Sequence, residues 1–290
     1  MKIWHQGFVD FGKTPVYRAS FETHLAAVIP SEATVVLHGL KPGTFGESYT
    51  PIEALAHPYI ARLLDNQICE AALAAEAAGY DAVAINCFYD PGLREARTLV
   101  DIPVVSLFET CLLTACSLGK SVGMIALNED QCEKHRELAA AYGMSERLAA
   151  TVPMSPGIDE YMLEADAEAA RPIFDGFRRA CETLIAAGAE VIVPGDGVLN
   201  DFVWRHRLDA GGATLMDAAG TLIHHAAYLV GLRRSLGTSI SRCRHFPRPP
   251  AAMLDHFRAL DGREGEAEAA YSVRGEVRRQ VIGEDKVVAI

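Results

Sequence analysis

No apolar run in this chain reaches the roughly 18 residues that a membrane-spanning helix needs. Basic residues are scarce: 27 Lys and Arg stand against 38 Asp and Glu, a formal net charge of -11. That deficit argues against nonspecific nucleic-acid binding and against docking on anionic membranes, both of which need a basic surface. It leaves an anionic substrate open, because backbone N–H groups can hold an anion on an acidic protein. Behind Lys2, the residues Ile3-Trp4-His5-Gln6 lead into no apolar signal-peptide core. The seven cysteines are odd in number and irregular in spacing, so no disulfide framework is implied. Cys69, Cys111, Cys116 and Cys181 fall in apolar helical patterns and are expected to be reduced. Cys132 and His135 lack a second pair at zinc-ligand spacing. Gly43-Thr44-Phe45-Gly46 lacks the Lys-Ser/Thr ending of a phosphate loop. The expectation is a cytoplasmic enzyme with no metal, no nucleic acid and no membrane as partner.

What the chain does have is regular alternation. Half of its residues are hydrophobic, enough for a substantial core. Short apolar strands are predicted at residues 2–4, 34–38, 82–85 and 102–107, then again at 120–127, 147–152, 190–193 and 213–216. Helices are predicted between them, notably over 18–28, 60–78, 130–142 and 159–187, the last kinked near Pro172. Residues 41–48 read as a loop able to move over a site. Asp90 and Pro91 read as cap and first residue of a short helix. The fold class expected is α/β: two pseudo-symmetric Rossmann-like lobes, each a roughly four-stranded parallel sheet flanked by helices, with the site in the cleft between them. Residues 1–110 plus about 218–240 form the first lobe, 111–217 the second. Residues 241–290, basic and proline-rich and then acidic, read as a tail that is peripheral or contacts a partner subunit, with a short strand at 286–290.

One segment recurs. Ala77-Ala78-Gly79 followed by the apolar run to Asn86-Cys87 matches Ala186-Ala187-Gly188 followed by the run to Gly195-Asp196, at an offset of 109. Cys87 and Asp196 therefore occupy equivalent strand exits, where open α/β sheets bind ligands. Cys87 precedes a loop that enters a helix, whose N–H groups are expected to lower the thiol pKa from about 8.5. Asp196 lies between Gly195 and Gly197, ahead of Val198. Its carboxylate can act as a base if burial raises its pKa, and the glycines permit close backbone approach to an oxyanion. Phe88 and Tyr89 are candidates for lining the pocket.

The run Asn86-Cys87-Phe88-Tyr89-Asp90-Pro91-Gly92-Leu93 resembles the first cysteine motif of the aspartate/glutamate racemase superfamily, in its hydantoin racemase branch. Ile102-Pro103-Val104-Val105 and Glu109 are similar to that branch as well. Gly188 to Gly195 resembles the approach to its second cysteine, and Asp217 fits a further position. The resemblance spans roughly residues 1–235. It implies two α/β lobes, no cofactor, and two cysteines that move a proton at the carbon next to a carbonyl. In this chain Asp196 stands at the second cysteine. Trp4-His5-Gln6-Gly7 replaces an asparagine-containing turn, with Gln6 as its polar substitute. The resemblance thus implies Cys87 and Asp196 as catalytic residues, with Gln6, Asn86, Phe88, Tyr89, Glu109, Gly195, Gly197 and Val198 around a small carbonyl or carboxylate substrate, in a homo-oligomer. Three functions stay open. One is a racemase or isomerase working by proton transfer. The second is a single-cysteine lyase or hydrolase with Asp196 as base. The third is a non-catalytic ligand-binding protein on the same frame.

Overall fold

The computed structural model describes residues 1–261 and the short segments 269–271 and 279–281. Strand β1 (Lys2–Gly7) starts the first sheet, joined by β2 (Thr34–His38), β3 (Ala82–Asn86) and β4 (Val104–Ser106). The order is β2-β1-β3-β4, and every pair is parallel. Parallel neighbours need crossover connections. Helices α1 (Pro15–Val28), α2 (Pro51–Leu55), α3 (Pro58–Ala77) and α4 (Leu93–Leu99) lie in them. All five residues of β3 are buried, because helices cover both faces of the sheet, and this explains its unbroken apolar run.

Helix α5 (Leu107–Ala115) follows β4 without a loop and leads to the second sheet. Strands β5 (Val122–Ala126), β6 (Leu148–Pro153), β7 (Val191–Pro194) and β8 (Thr214–Leu215) order as β6-β5-β7-β8, again all parallel. Helices α6 (Glu129–Ala141), α7 (Arg171–Ala186) and α8 (Gly197–Arg205) flank them. Each sheet repeats one order, and β3 and β7 hold the same third place in it. The final helix of this unit, α9 (Ala218–Leu236), returns to pack on β3, β4 and α5.

The helix predicted over 159–187 is two elements: a 3₁₀ turn at Glu160–Glu164, then α7 with Pro172 in its first turn. Proline lacks an N–H and fits a helix start, so it begins this helix rather than kinking it. Helix α4 begins at Leu93 behind Gly92, whose φ is 60°. Asp90 does not cap it; its side chain serves α5. The 41–48 loop is tied to Asp10, which accepts the Gly43 N–H at 2.9 Å. The compact unit runs from Met1 to Pro247. Arg242, placed in the tail by the sequence, donates to the carbonyls of Arg97 and Val100 within it. The second unit begins at Arg248 and holds α10 (Ala251–Asp261) and an antiparallel pair, Ala269–Tyr271 with Arg279–Val281. The strand expected at 286–290 lies outside the described residues.

Candidate active site

A cavity of about 430 Å³ opens at the carboxyl ends of the strands, between the two sheets. The turn after β1 (7–9), the exit of β3 (86–89) and α1 line it from one lobe; Leu127 and the exit of β7 (195–198) line it from the other. Residues 50–55 and 158–161 complete the wall. No residue of the 41–48 loop, read as able to move over a site, lines the cavity.

Cys87 is 9% exposed and faces this cavity. Burial pushes its thiol well above the usual range, and the nearby Asp90 and Asp196 add to that. A hydrogen bond from the Tyr89 N–H acts the other way and is the smaller effect. The expectation of a lowered pKa is corrected: Cys87 is held as a thiol. Asp90, buried and with φ 46°, accepts the Phe108 and Glu109 N–H groups of α5 at 3.0 and 2.9 Å. Tyr142 donates its hydroxyl to the same carboxylate at 2.7 Å.

Asp196 lines the same cavity. It is the N-cap of α8, accepting the Leu199 N–H at 2.9 Å. Burial raises its pKa, and the N–H groups of Leu199, Val198 and Gly197 restrain the rise. The flanking glycines allow close packing, Gly195 within the second lobe and Gly197 between the lobes. A Cβ on Gly195 would stand 2.6 Å from the Ile125 carbonyl, and one on Gly197 would stand 2.7 Å from the Tyr17 hydroxyl. The Gly195 N–H donates to Ile125 and is not free for an oxyanion.

Asn86, Phe88, Tyr89, Gly195, Gly197 and Val198 line the cavity with the two candidate catalytic residues. Gln6 and Glu109 do not. Gln6 is 1% exposed and shares a strand face with Trp4, whose indole N–H it accepts at 2.9 Å, while its own amide donates to the Gly7 carbonyl. Glu109 is gripped by both terminal nitrogens of the Arg97 guanidinium. Sequence reading missed Tyr17, Thr14, Thr50, Gln131 and Glu160. Tyr17 reaches the cavity only because α1 lies across the seam between the lobes. A hydrogen bond marks that crossing: Glu160, from the second lobe, accepts the Tyr17 N–H in the first turn of α1 at 2.9 Å.

The charge of the lining is one-sided. Asp159, Glu160 and Asp196 contribute carboxylates, and among the described residues no Lys, Arg or His lines the cavity. Among the described residues no three His, Cys, Asp or Glu side chains converge as a metal-binding set. No described helix is long and apolar enough to cross a membrane.

The family model described as Asp/Glu/Hydantoin racemase matches residues 14–226. A hydantoin racemase from Pseudomonas sp. (strain NS671) is 33% identical over 81 residues, which cover 27% of this chain and 32% of the relative. The match therefore spans about a third of that curated relative's length. Among solved structures, an allantoin racemase from Pseudomonas fluorescens superposes with a TM-score of 0.66 at 21% identity, covering 86% of this chain and 97% of its own. Arylmalonate decarboxylase has the same fold at a TM-score of 0.51 and 16% identity, over 82% of this chain and 95% of its own. With more than half of the chain matched and the two-lobe frame in place, the protein belongs to the Asp/Glu/Hydantoin racemase family.

Proposed function

We propose that the protein is a proton-transfer isomerase, most simply a racemase, of uncharged cyclic amides of the hydantoin type. The observation that carries this reading is that Cys87 and Asp196, at equivalent exits of β3 and β7, line one cavity. Their proton states suit it: a carboxylate can take a proton and a thiol can give one. In one turnover the Asp196 carboxylate removes the proton from the carbon beside a carbonyl, and the bonding electrons move into an enolate. The Cys87 thiol then protonates the opposite face, leaving a thiolate and a carboxylic acid. Proton exchange with solvent then returns the acid to carboxylate and the thiolate to thiol for the next turnover. Because enantiomers have equal free energies, kcat/KM is equal in the two directions however unlike the two groups are.

The lining favours an uncharged substrate. Three carboxylates would repel a dicarboxylate, and no described Lys, Arg or His in the lining offsets them. The N-termini of α5 and α8 give N–H groups to Asp90 and Asp196, so they are not a ready anion cradle. Phe8, Ile52, Leu55, Phe88 and Ile158 fit an apolar substituent. A second reading is decarboxylation with Cys87 delivering the proton; the protonated thiol favours it over a nucleophilic cysteine, which must be a thiolate.

The test is (S)-5-benzylhydantoin in D2O with the purified protein. The expected result is loss of optical rotation with deuterium appearing at C5, and no reaction of aspartate or glutamate. Release of CO2 from phenylmalonate, with no exchange into the hydantoin, would establish the lyase reading instead.

A further inference from the structure

Removing a proton beside a carbonyl drives negative charge onto the carbonyl oxygen, and a hydrogen-bond donor must meet it there. The N-termini of α5 and α8 do not supply one, since Asp90 and Asp196 occupy them. Several polar side chains in the lining are also occupied. Gln131 donates to the Gly195 carbonyl at 2.9 Å, and the Thr50 hydroxyl donates to Glu53 at 2.8 Å.

Tyr17 is different. Its ring is 5% exposed, stacks on Phe11 and leans on Phe21, while its hydroxyl reaches the seam between the lobes. The Asn86 side-chain N–H donates to that hydroxyl at 3.3 Å. The Asn86 side-chain oxygen and both His5 ring nitrogens are buried without a hydrogen-bond partner among the described residues. The phenol oxygen is thus an acceptor for Asn86, and no described protein group accepts its own hydrogen. Asn86 precedes Cys87, and Gly197 follows Asp196, with only a glycine's room beside the Tyr17 oxygen. The phenol lies between the two arms of the proposed chemistry.

We propose that Tyr17 is the oxyanion donor of this site, bonding through its phenol hydrogen to the carbonyl oxygen that takes up the enolate charge. This rests on the proton-transfer reading above and adds a catalytic residue to it. The phenol gives a hydrogen bond and keeps its proton, so no atom is transferred. Burial first, and then the charges of Asp201 and Asp196, hold its pKa above the ordinary value near 10, so it is a donor at neutral pH. A neutral donor suits an uncharged amide carbonyl. Gly197 has a defined part: a methyl there would push the hydroxyl aside.

The experiment measures kcat and KM for deuterium exchange at C5 of 5-benzylhydantoin. Tyr17→Phe is expected to lower kcat by about a hundredfold to a thousandfold with KM little changed, as for loss of one oxyanion donor. Gly197→Ala is expected to lower kcat in the wild-type background and to add little on the Tyr17→Phe background. The glycine variant keeps the phenol ring, so the test stands if Tyr17→Phe folds poorly. Near-normal kcat in Tyr17→Phe, with loss of optical rotation abolished by Cys87→Ser, would overturn the role of Tyr17 and leave the proton-transfer reading standing. Undiminished loss of optical rotation in Cys87→Ser, or no exchange by the wild type, would overturn that reading and this role with it.

Discussion

Asp196 is more basic than a free aspartate and Cys87 less acidic than a free thiol, and burial drives both shifts. The signs fix a pH profile. The base must be ionised, so kcat/KM falls as pH drops through the raised Asp196 pKa, above the ordinary carboxylate value of about 4. The acid must be protonated, so the rate falls only as pH rises through the raised Cys87 pKa, above about 8.5. A plateau across neutrality is expected when 5-benzylhydantoin exchange is followed against pH. A rate that instead climbs through about 8.5 would mark thiolate chemistry. Asp196→Asn should remove the acid limb and cost about 10²–10⁴ in rate. Its melting temperature should barely move, because the amide oxygen can still accept the Leu199 N–H. These two residues were legible in the sequence because a repeat put them at equivalent strand exits. Gln6 and Glu109 were misread because position near a strand end does not say which way a polar side chain turns. Trp4 draws Gln6 to one face, and Arg97, twelve residues before it, claims Glu109.

Among the elements, helices α1, α8 and α9 meet at one buried cluster outside the cavity. His24, on α1, bonds Asp201 of α8 at 3.0 Å and Asp217, the N-cap of α9, at 2.8 Å, while Trp204 stacks on its ring at 4.3 Å. Burial alone would lower the His24 pKa, but the two carboxylates together raise it to about 9. A histidine whose pKa rises on folding stabilises the protein in full below the unfolded value near 6.5, and that contribution is lost as pH rises through about 9. The melting temperature should therefore decline between pH 7 and about 9.5, and the decline should flatten in His24→Gln. At pH 6 (below both pKa values), His24→Ala should lower it by on the order of 10 °C, since Asp201 is left buried without its partner. A wild-type melting temperature level across that range would contradict a charged His24. Apolar runs and glycine caps showed where the eight strands of the lobes lie. The sequence could not show this cluster, because its members stand 16 and 177 residues apart in the chain (Asp201 to Asp217, His24 to Asp201). Nor could it show that Asp90 caps α5, seventeen residues downstream, rather than the adjacent α4.

On the scale of the whole molecule, every described wall residue of the cavity comes from the stretch Gly7 to Val198. The chain then continues through α9, which covers the first sheet, and through Arg242, which grips carbonyls at the end of α4 and the Asp101 carboxylate. These ties lie within the first compact unit, which runs to Pro247, and they give two truncations opposite expectations. Ending the chain after Pro247 keeps Arg242 and should leave exchange kinetics and melting temperature close to those of the full chain. Ending it after Gly237 removes the Arg242 bonds and leaves the Val100 carbonyl without that donor. A loss of about 1–3 kcal/mol is expected, seen as a lower melting temperature with kcat retained. Residues 248–290 carry Met253, Phe257 and Leu260 at helical spacing on α10, all well exposed. If that face serves assembly, the shorter mass in light scattering will belong to the Pro247 truncation, at unchanged activity per subunit. Loss of activity in that truncation would instead bring the second unit into the catalytic machinery, against the placement of the cavity wall.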